Sequence, residues 1–419
     1  MFRTMRKREM AATGAAMGHL QVLGEFTDPE YGHVPCKASE VLSNALLDDL
    51  TAAAAGLRIT SRPAGPGTGI GNGVLFAVAY HDRAGRSGGI ALIAHRDDHP
   101  ARTVARETLI RWTRTLRSRR LMLGDLSQPC PGTRRSAQIA ADHAHLDDLH
   151  LLADHENTSL NGRPRRPDTL DGIPDGSTVL FPAHGVSLTL RAEAAARGMR
   201  ILDGTCPLVT AAHTDITQYA NRGDTVVIIG DPAHAVTATL TAQAPEATLS
   251  IRTPEDVTAL EDLDGEHVAF ALDPAMPHRE ATATLTALRT RYPRLSGHHF
   301  DIMCHTVTDH ARTIHSVLVE SDLTLVLTDR SVQRPAHTIL EAAATLNARV
   351  LPIAGPQDLG RIALDSVLTI GLLIAPGTTP HQTTQLVEAL RGLGPLSIHD
   401  ATTTREHFYS AAPVQTART

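Results

Sequence analysis

The chain has 419 residues, of which 42% are hydrophobic and 20% charged, so it can form several packed domains and extended disorder is excluded. A net charge of -6 gives no reason to expect nucleic acid or an anionic membrane as a partner. No apolar stretch of signal-peptide or membrane-spanning length is present. We therefore expect a cytoplasmic protein whose thiols stay reduced.

The first 120 residues predict a small α+β extension of unknown role. Apolar residues at helical spacing predict a helix over 38–57. Two apolar runs, 73–80 and 88–94, predict strands joined by a longer hairpin loop. A helix rich in arginine is predicted over 101–120, either as a solvated face or as a dock for an acidic electron carrier.

Two features of this segment have alternative interpretations. The glycine-rich stretch 65–73 resembles a phosphate loop, but a strand rather than a helix is predicted after it, which favours a flexible turn. Cys36 lies outside any strand-then-cysteine pattern. We interpret Cys36 as a free thiol. The alternative is that Cys36 is a fourth metal ligand.

From residue 121 onward, strands alternate with helical stretches, which predicts parallel α/β units. The clearest of these stretches are 178–182, 188–197, 200–203, 210–221, 225–229 and 372–374. The predicted divisions are the extension 1–120, three α/β units at 121–205, 206–303 and 304–400, and a tail 401–419 that is ordered only in part.

Cys130, Cys206 and Cys304 each lie beyond a short apolar run with an acidic residue, at 121–125, 199–203 and 300–303. Each run predicts a strand that delivers a thiolate at its carboxyl end. Three thiolates from three units predict an iron–sulfur cluster, and because such clusters normally have four cysteine ligands, one iron would stay open for substrate.

Several strings around these cysteines resemble one family. They are Pro-Ala-His-Gly-Val-Ser at 182–187, Asp-Gly-Thr-Cys-Pro-Leu-Val-Thr at 203–210 and Asp-Ile-Met-Cys at 301–304. Together they are similar to the 4-hydroxy-3-methylbut-2-enyl diphosphate reductases, or LytB family, which end the methylerythritol phosphate route to isoprenoids. The resemblance covers about residues 121–400.

The resemblance implies a pseudo-threefold trefoil of three α/β units around a central 4Fe-4S cluster. Cys130, Cys206 and Cys304 match the three ligands, and the fourth iron would bind the substrate's hydroxyl oxygen. The implied reaction is a reductive dehydroxylation to isopentenyl and dimethylallyl diphosphate. Ferredoxin or flavodoxin would supply the electrons.

The resemblance also implies a pocket lined by histidines that hold a diphosphate and help deliver protons. His155, His184 and His234 match these positions, with His234 also assigned to catalysis. A histidine can donate to a phosphate oxygen and titrates near neutrality. Arg334 and Thr378 complete the expected anion site, which fits an anionic small-molecule substrate.

The substrate residues depart from the family pattern. Val236 stands where the family has a proton-relaying glutamate, and valine cannot relay a proton. The family's Thr-Gln-Thr-Thr turn falls at 272–275, where Asp273 is a possible substitute carboxylate. The family's Ser-Ser-Asn group falls at 332–334, and its Thr-Thr-Asn-Arg falls at 307–310.

Three functions stay open at this point. The first is a reductase acting on the family substrate or a close relative. The second is a cluster enzyme redirected to another small hydroxylated molecule in a specialised pathway. The third is a non-catalytic iron–sulfur sensor. The sequence does not decide the substrate or the oligomeric state.

Overall fold

The structure is a computed structural model that describes residues 2–63, 71–152, 159–160, 163–166, 169–297, 303–328 and 334–403. Its residues form two compact units. One comprises Met1–Ser127 with Thr313–Thr402, and the other is centred on Gln128–Arg312. Within the described ranges, no helix is long and apolar enough to cross a membrane.

The elements below are numbered along the chain. The strands are β1 (Phe2–Ala12), β2 (His19–Leu23), β3 (Glu25–Asp28), β4 (Gly32–Pro35), β5 (Arg58–Arg62), β6 (Gly73–Asp82), β7 (Ser87–His95), β8 (Arg119–Asp125), β9 (Leu149–Leu152), β10 (Ser159–Leu160), β11 (Arg163–Arg166), β12 (Thr178–Phe181), β13 (Arg200–Asp203), β14 (Thr225–Ile229), β15 (Thr248–Ile251), β16 (Val268–Leu272), β17 (Ser296–Gly297), β18 (Leu323–Leu327), β19 (Val350–Ile353), β20 (Thr369–Ile374) and β21 (Leu396–Asp400). The helices are α1 (Ser39–Leu47), α2 (Leu50–Ala54), α3 (His99–Thr115), α4 (Pro131–Asp142), α5 (Leu188–Ala196), α6 (Pro207–Asn221), α7 (Ala235–Thr241), α8 (Pro254–Ala259), α9 (His278–Arg291), α10 (His305–Glu320), α11 (Arg334–Thr345) and α12 (Pro380–Gly392), with a short 3-10 helix at Pro356–Arg361.

The N-terminal segment is built on a five-stranded sheet of order β1-β6-β7-β2-β5. The predicted hairpin is confirmed, because β6 and β7 pair antiparallel from Gly73 opposite His95 to His81 opposite Ser87. The basic opening of the chain forms β1, which pairs antiparallel with β6. Most of the predicted glycine loop lies outside the described residues.

The helix predicted over 38–57 is two helices, α1 and α2. The break falls at Asp48 and Asp49, whose carboxylates accept hydrogen bonds from Arg361 (2.7 Å) and Arg111 (2.5 Å). These ion pairs hold two adjacent acidic side chains in a turn, which the apolar periodicity of the segment does not reveal.

The arginine-rich helix predicted over 101–120 ends earlier, at Thr115. Leu116 leaves the helix in an extended conformation and is buried. Arg119 and Arg120 therefore lie on β8 rather than on a solvated helix face. The helix surface considered as a dock for an acidic electron carrier therefore does not include Arg119 and Arg120.

The first unit also holds a parallel five-stranded sheet of order β19-β18-β20-β8-β21. The strand β8, which was predicted to begin the first α/β unit, pairs instead with β20 and β21. One hydrophobic core joins this sheet to the N-terminal sheet and contains Leu20, Leu42, Phe76, Trp112, Leu121, Leu325, Leu372 and Leu390. This core contains residues from both sides of residue 120, and the boundaries at 120, 205, 303 and 400 stay predictions.

The second unit contains two further sheets. The order of one is β10-β11-β9-β12-β13, and the order of the other is β15-β14-β16-β17. Apart from the β10–β11 pair, their strands are parallel, as predicted from the alternation of strands and helices. The predicted strands 200–203 and 225–229 are confirmed at both ends. Parallel strands followed by helices place the chemistry at their carboxyl ends.

Arg119 ties the first unit together at the start of β8. Its guanidinium is buried and donates to the carbonyls of Thr115, Arg117, Leu364, Val367 and Leu393 at 2.7–3.4 Å. Burial lowers the pKa of this guanidinium to about 10. The side chain therefore satisfies backbone acceptors from three separate segments.

We predict that Arg119→Met lowers the free energy of unfolding by about 2–4 kcal/mol, because buried carbonyls lose their donor. The measurement is chemical and thermal unfolding of the whole chain. Arg120→Met is the matched control, since Arg120 and its partner Glu320 are each 44% exposed and such pairs contribute about 0–1 kcal/mol. Equal effects of the two substitutions would contradict the role assigned to Arg119.

Candidate functional site

The three cysteines all lie in the second unit, and each directly precedes a helix. Cys130 precedes α4, Cys206 precedes α6, and Cys304 precedes α10. Proline occupies the first helical position after Cys130 and Cys206, where its fixed φ angle favours helix initiation and its missing N–H costs nothing. The strands predicted before Cys130 and Cys206 are confirmed, whereas the run predicted before Cys304 lies outside the described residues except for Met303.

A main-chain N–H group of the first helical turn points at the sulfur atom of Cys130. This Sγ atom accepts from the Thr133 amide at 3.4 Å. At Cys206, the nearby Leu208 and Val209 amides act to lower the pKa of the thiol. The positive end of a helix dipole and its unpaired N–H groups stabilise a thiolate.

The structure brings these thiols together. The thiols of Cys130 and Cys304 are close enough for each to shift the pKa of the other. A Cβ atom built on Gly132, in the first turn of α4, would lie 3.0 Å from the Sγ atom of Cys206. Glycine at this position therefore permits the close approach of Cys206 to the helix that begins at Cys130.

The thiols differ in their ease of ionisation. The neighbouring Cys304 thiol and the Thr133 hydroxyl lower the pKa of Cys130. The Cys130 thiol raises the pKa of Cys304, and burial adds to the effect. Burial also raises the pKa of Cys206, against the opposing effect of the Leu208 and Val209 amides.

All four cysteines are unpaired in disulfides. Cys36 belongs to the first unit, where it is 1% exposed and packs with Leu23, Phe26 and Val34. Burial raises the pKa of its thiol. Cys36 is therefore a core thiol of that unit, in agreement with its interpretation as a free thiol. Among the residues with a described placement, no group of three or more His, Cys, Asp or Glu side chains has the geometry of a metal-ion site.

His184 follows β12 in a turn that contacts the start of α6. The amide of Cys206 donates to the carbonyl of Ala183 at 2.9 Å. The Thr239 hydroxyl of α7 donates to the His184 carbonyl at 2.7 Å. Gly185 has a φ angle of +83°, which favours glycine. These backbone contacts hold His184 beside Cys206. Its side chain is buried, with 5% of the residue exposed.

His234 precedes α7 and pairs with a buried carboxylate. Its Nδ1 atom lies 2.9 Å from Oδ2 of Asp273, and the two side chains are 44% and 2% exposed, respectively. Val236, two residues further, is 8% exposed and packs in an apolar cluster that also contacts Cys206. The carboxylate near His234 therefore comes from the end of β16 rather than from α7.

His213 was missed by the sequence analysis. A Cβ atom on Gly185 would lie 2.7 Å from its Cε1 atom, so the ring packs against the His184 turn. Burial, reinforced by Arg191, lowers the pKa of His213 to about 4. Its Nε2 atom is enclosed and has no hydrogen-bond partner in the described part of the chain. The available signal was its spacing of about two helical turns from Cys206.

The other residues predicted to bind the substrate are His155, Arg334 and Thr378. His155 lies outside the described residues. Arg334 is the first residue of α11, in the first unit. Thr378 follows β20, and its hydroxyl donates to the Leu327 carbonyl at 3.2 Å. Arg334 and Thr378 thus follow the neighbouring strands β18 and β20 at the carboxyl edge of one parallel sheet.

Comparisons with known proteins agree with this arrangement. The family model described as LytB protein matches residues 130–391. The 4-hydroxy-3-methylbut-2-enyl diphosphate reductase 2 of Mycobacterium bovis is 33% identical over 252 residues, which cover 59% of this chain and 76% of the relative. The 4-hydroxy-3-methylbut-2-enyl diphosphate reductase of Pseudomonas putida is 29% identical over 231 residues, which cover 54% and 73%.

A solved structure also matches. It is that of the E-1-hydroxy-2-methyl-but-2-enyl-4-diphosphate reductase from Plasmodium falciparum, with a TM-score of 0.61 and 19% identity over 71% of this chain and 96% of that one. This likeness confirms the predicted fold class. The family match begins at the first of the three cysteines and extends through α12. The chain therefore belongs to the LytB family.

Proposed function

We propose that the protein is an iron–sulfur reductase that removes the hydroxyl group of 4-hydroxy-3-methylbut-2-enyl diphosphate. The observation that carries this proposal is the convergence of Cys130, Cys206 and Cys304 at the starts of three helices, in a chain of the LytB family. The relatives named above act on this diphosphate. The products are isopentenyl and dimethylallyl diphosphate.

The three cysteines fit a 4Fe-4S cluster with one open iron. Their thiols are half-buried and lie at the starts of separate helices, and the Cys130 sulfur accepts from the Thr133 amide, which stabilises a thiolate ligand. When bound, such a cluster supplies electrons and a Lewis-acid iron. Three protein ligands leave one iron without a protein thiolate.

The reaction balances with two electrons and two protons. The carbon–oxygen bond of the allylic alcohol breaks, one proton converts the departing hydroxyl into water, and the other forms the new carbon–hydrogen bond. A one-electron carrier such as ferredoxin or flavodoxin supplies the electrons. The reducing cytoplasm is the compartment that suits this chemistry.

Protein side chains have to bind the diphosphate and deliver protons. His184 and His234 belong to the same unit as the cysteines, and we assign His234 to proton delivery and both to substrate binding. We assign anion binding also to His155, Arg334 and Thr378. Guanidinium and imidazole groups donate charge-assisted hydrogen bonds to phosphate oxygens.

A second candidate substrate is favoured by the changed surroundings of His234. The side chain of Val236 is buried in an apolar cluster, and the turn after β16 carries Asp273 and Pro274 in place of hydroxyl and amide side chains. A pocket altered in this way could accept another small hydroxylated anion. The family relationship favours the family substrate over this alternative and over a sensor.

The first prediction concerns the cluster ligands. Replacing Cys130, Cys206 or Cys304 by serine should reduce the iron and sulfide content of anaerobically purified protein by at least half, because a hard hydroxyl is a poor ligand for these clusters. Iron and sulfide quantitation with electron paramagnetic resonance measures it. The control is Cys36→Ala, which should keep the iron content of the unmodified protein. Loss of iron in the control alone would contradict the assignment.

The second prediction concerns turnover. Cluster-loaded protein with a low-potential electron donor should convert 4-hydroxy-3-methylbut-2-enyl diphosphate into the two isoprenoid diphosphates, at a rate abolished by Cys206→Ser. Product analysis by mass spectrometry measures it. A loaded cluster with no turnover of this substrate would reject the family reaction and favour the redirected enzyme.

A further inference from the structure

The pair formed by Asp273 and His234 joins a buried carboxylate to a half-exposed imidazole. The Nδ1 atom of His234 lies 2.9 Å from Oδ2 of Asp273. An ionised carboxylate can only accept hydrogen bonds, so opposite the Asp273 carboxylate the proton resides on Nδ1 of the ring. Nε2 is the ring nitrogen that does not take part in this contact.

Asp273 is itself fixed by further contacts. The Thr237 hydroxyl donates to the same Oδ2 atom at 2.7 Å, and the Ala275 amide donates to Oδ1 at 2.7 Å. Gly230 leaves room for this arrangement, because a Cβ atom there would lie 2.4 Å from Oγ1 of Thr237 and 2.7 Å from Cβ of Asp273. Both carboxylate oxygens therefore have donors in a site that is 1% exposed.

The turn that carries Asp273 also contacts Cys304. The Cys304 amide donates to the Pro274 carbonyl at 2.8 Å. Ala275 packs in the same apolar cluster as Cys206. This turn thus connects His234 with Cys304, within the second unit. This position is what distinguishes the pair from an ordinary surface contact of a histidine.

We propose that Asp273 is the positioning residue for His234 and that the pair supplies the proton for the leaving hydroxyl group. The inference rests on the proposed function. Asp273 fixes the tautomer and the orientation of the ring and balances its charge when both nitrogens are protonated, as a buried carboxylate does for a catalytic histidine in general.

This assignment accounts for the proton that converts the leaving hydroxyl group into water, and the proton of the new carbon–hydrogen bond comes from solvent. The Nε2–H group of protonated His234 donates its proton to the departing oxygen as the carbon–oxygen bond breaks, and water is released. The ring becomes neutral with its proton on Nδ1, and Asp273 stays ionised. Solvent returns the proton to Nε2, since 44% of the His234 side chain is exposed. Two molecules of the proposed one-electron carrier supply the two electrons.

The test compares Asp273→Asn with His234→Gln, the double substitution, and Asp262→Asn as the control. Asp262 loses the same charge in the same unit but is fully exposed and pairs with Arg291 at the surface. Asparagine at position 273 can donate to Nδ1 and so favours the wrong tautomer. All variants are first matched for iron content and thermal unfolding midpoint.

We expect Asp273→Asn to lower kcat by about 10²–10⁴-fold with KM changed less than about threefold, while Asp262→Asn keeps the rate of the unmodified protein. The double variant should be no slower than the slower single variant, because the two residues act as a unit. An unchanged kcat in Asp273→Asn, or additive losses in the double variant, would overturn the proposal.

A second readout is independent of turnover. Nitrogen NMR of cluster-loaded protein with ¹⁵N-labelled histidine, with His234 assigned by its disappearance in His234→Gln, reports which ring nitrogen carries the proton. We expect Nδ1 protonation, lost in Asp273→Asn. If the unmodified protein fails to reduce the diphosphate, the proposed function falls. The tautomer still decides the positioning role, and an Nε2 tautomer in the unmodified protein would reject it.

Discussion

The close approach of the Cys130 and Cys304 thiols is the constraint on which the site depends, since these residues are far apart in the chain and begin different helices. Such a contact forms only if the helices that start at the two cysteines meet at their amino ends. Cys130 and Cys206 each follow the carboxyl end of a parallel strand and begin the helix after it, although the two strands, β8 and β13, belong to different sheets. Gly132 permits the third member, Cys206, to approach.

The succession of strand, cysteine and helix at this site was predictable from the sequence because its signals are local. The strand Arg200–Asp203 is a short apolar run that ends at an aspartate, and the helix after Cys206 begins with proline. Both signals act within a few residues. The strands predicted before the three cysteines therefore indicate that the cysteines share one site.

The features that sequence analysis missed depend on non-local contacts. Strand β8 pairs with β20 and β21, which lie more than two hundred residues later, so its sheet could not be assigned from its own pattern. The break between α1 and α2 depends on ion pairs with Arg361 and Arg111. The core shared by the N-terminal sheet and the later parallel sheet is likewise a property of packing rather than of periodicity.

The candidate site shows the same division between local and non-local information. His184 was found because its surrounding string is distinctive, and the structure holds it beside Cys206 through the Ala183 carbonyl. The role of Asp273 was only a possibility in the sequence, because the sequence does not show that β14 and β16 are adjacent and parallel. That adjacency brings the loops after the two strands together and aligns Asp273 with His234.

The carboxylate beside His234 comes from Asp273 and not from position 236, and this difference has a simple physical basis. A glutamate at position 236 would lie on α7, where the present valine packs in an apolar cluster with Leu240 and Ile228. An ionised group in that cluster would be costly unless it were paired. A carboxylate at the end of β16 avoids this cost, because the Ala275 amide and the Thr237 hydroxyl solvate Asp273 at a turn. The chain therefore keeps a carboxylate beside His234. Val236 on α7 packs in the apolar cluster that Cys206 contacts.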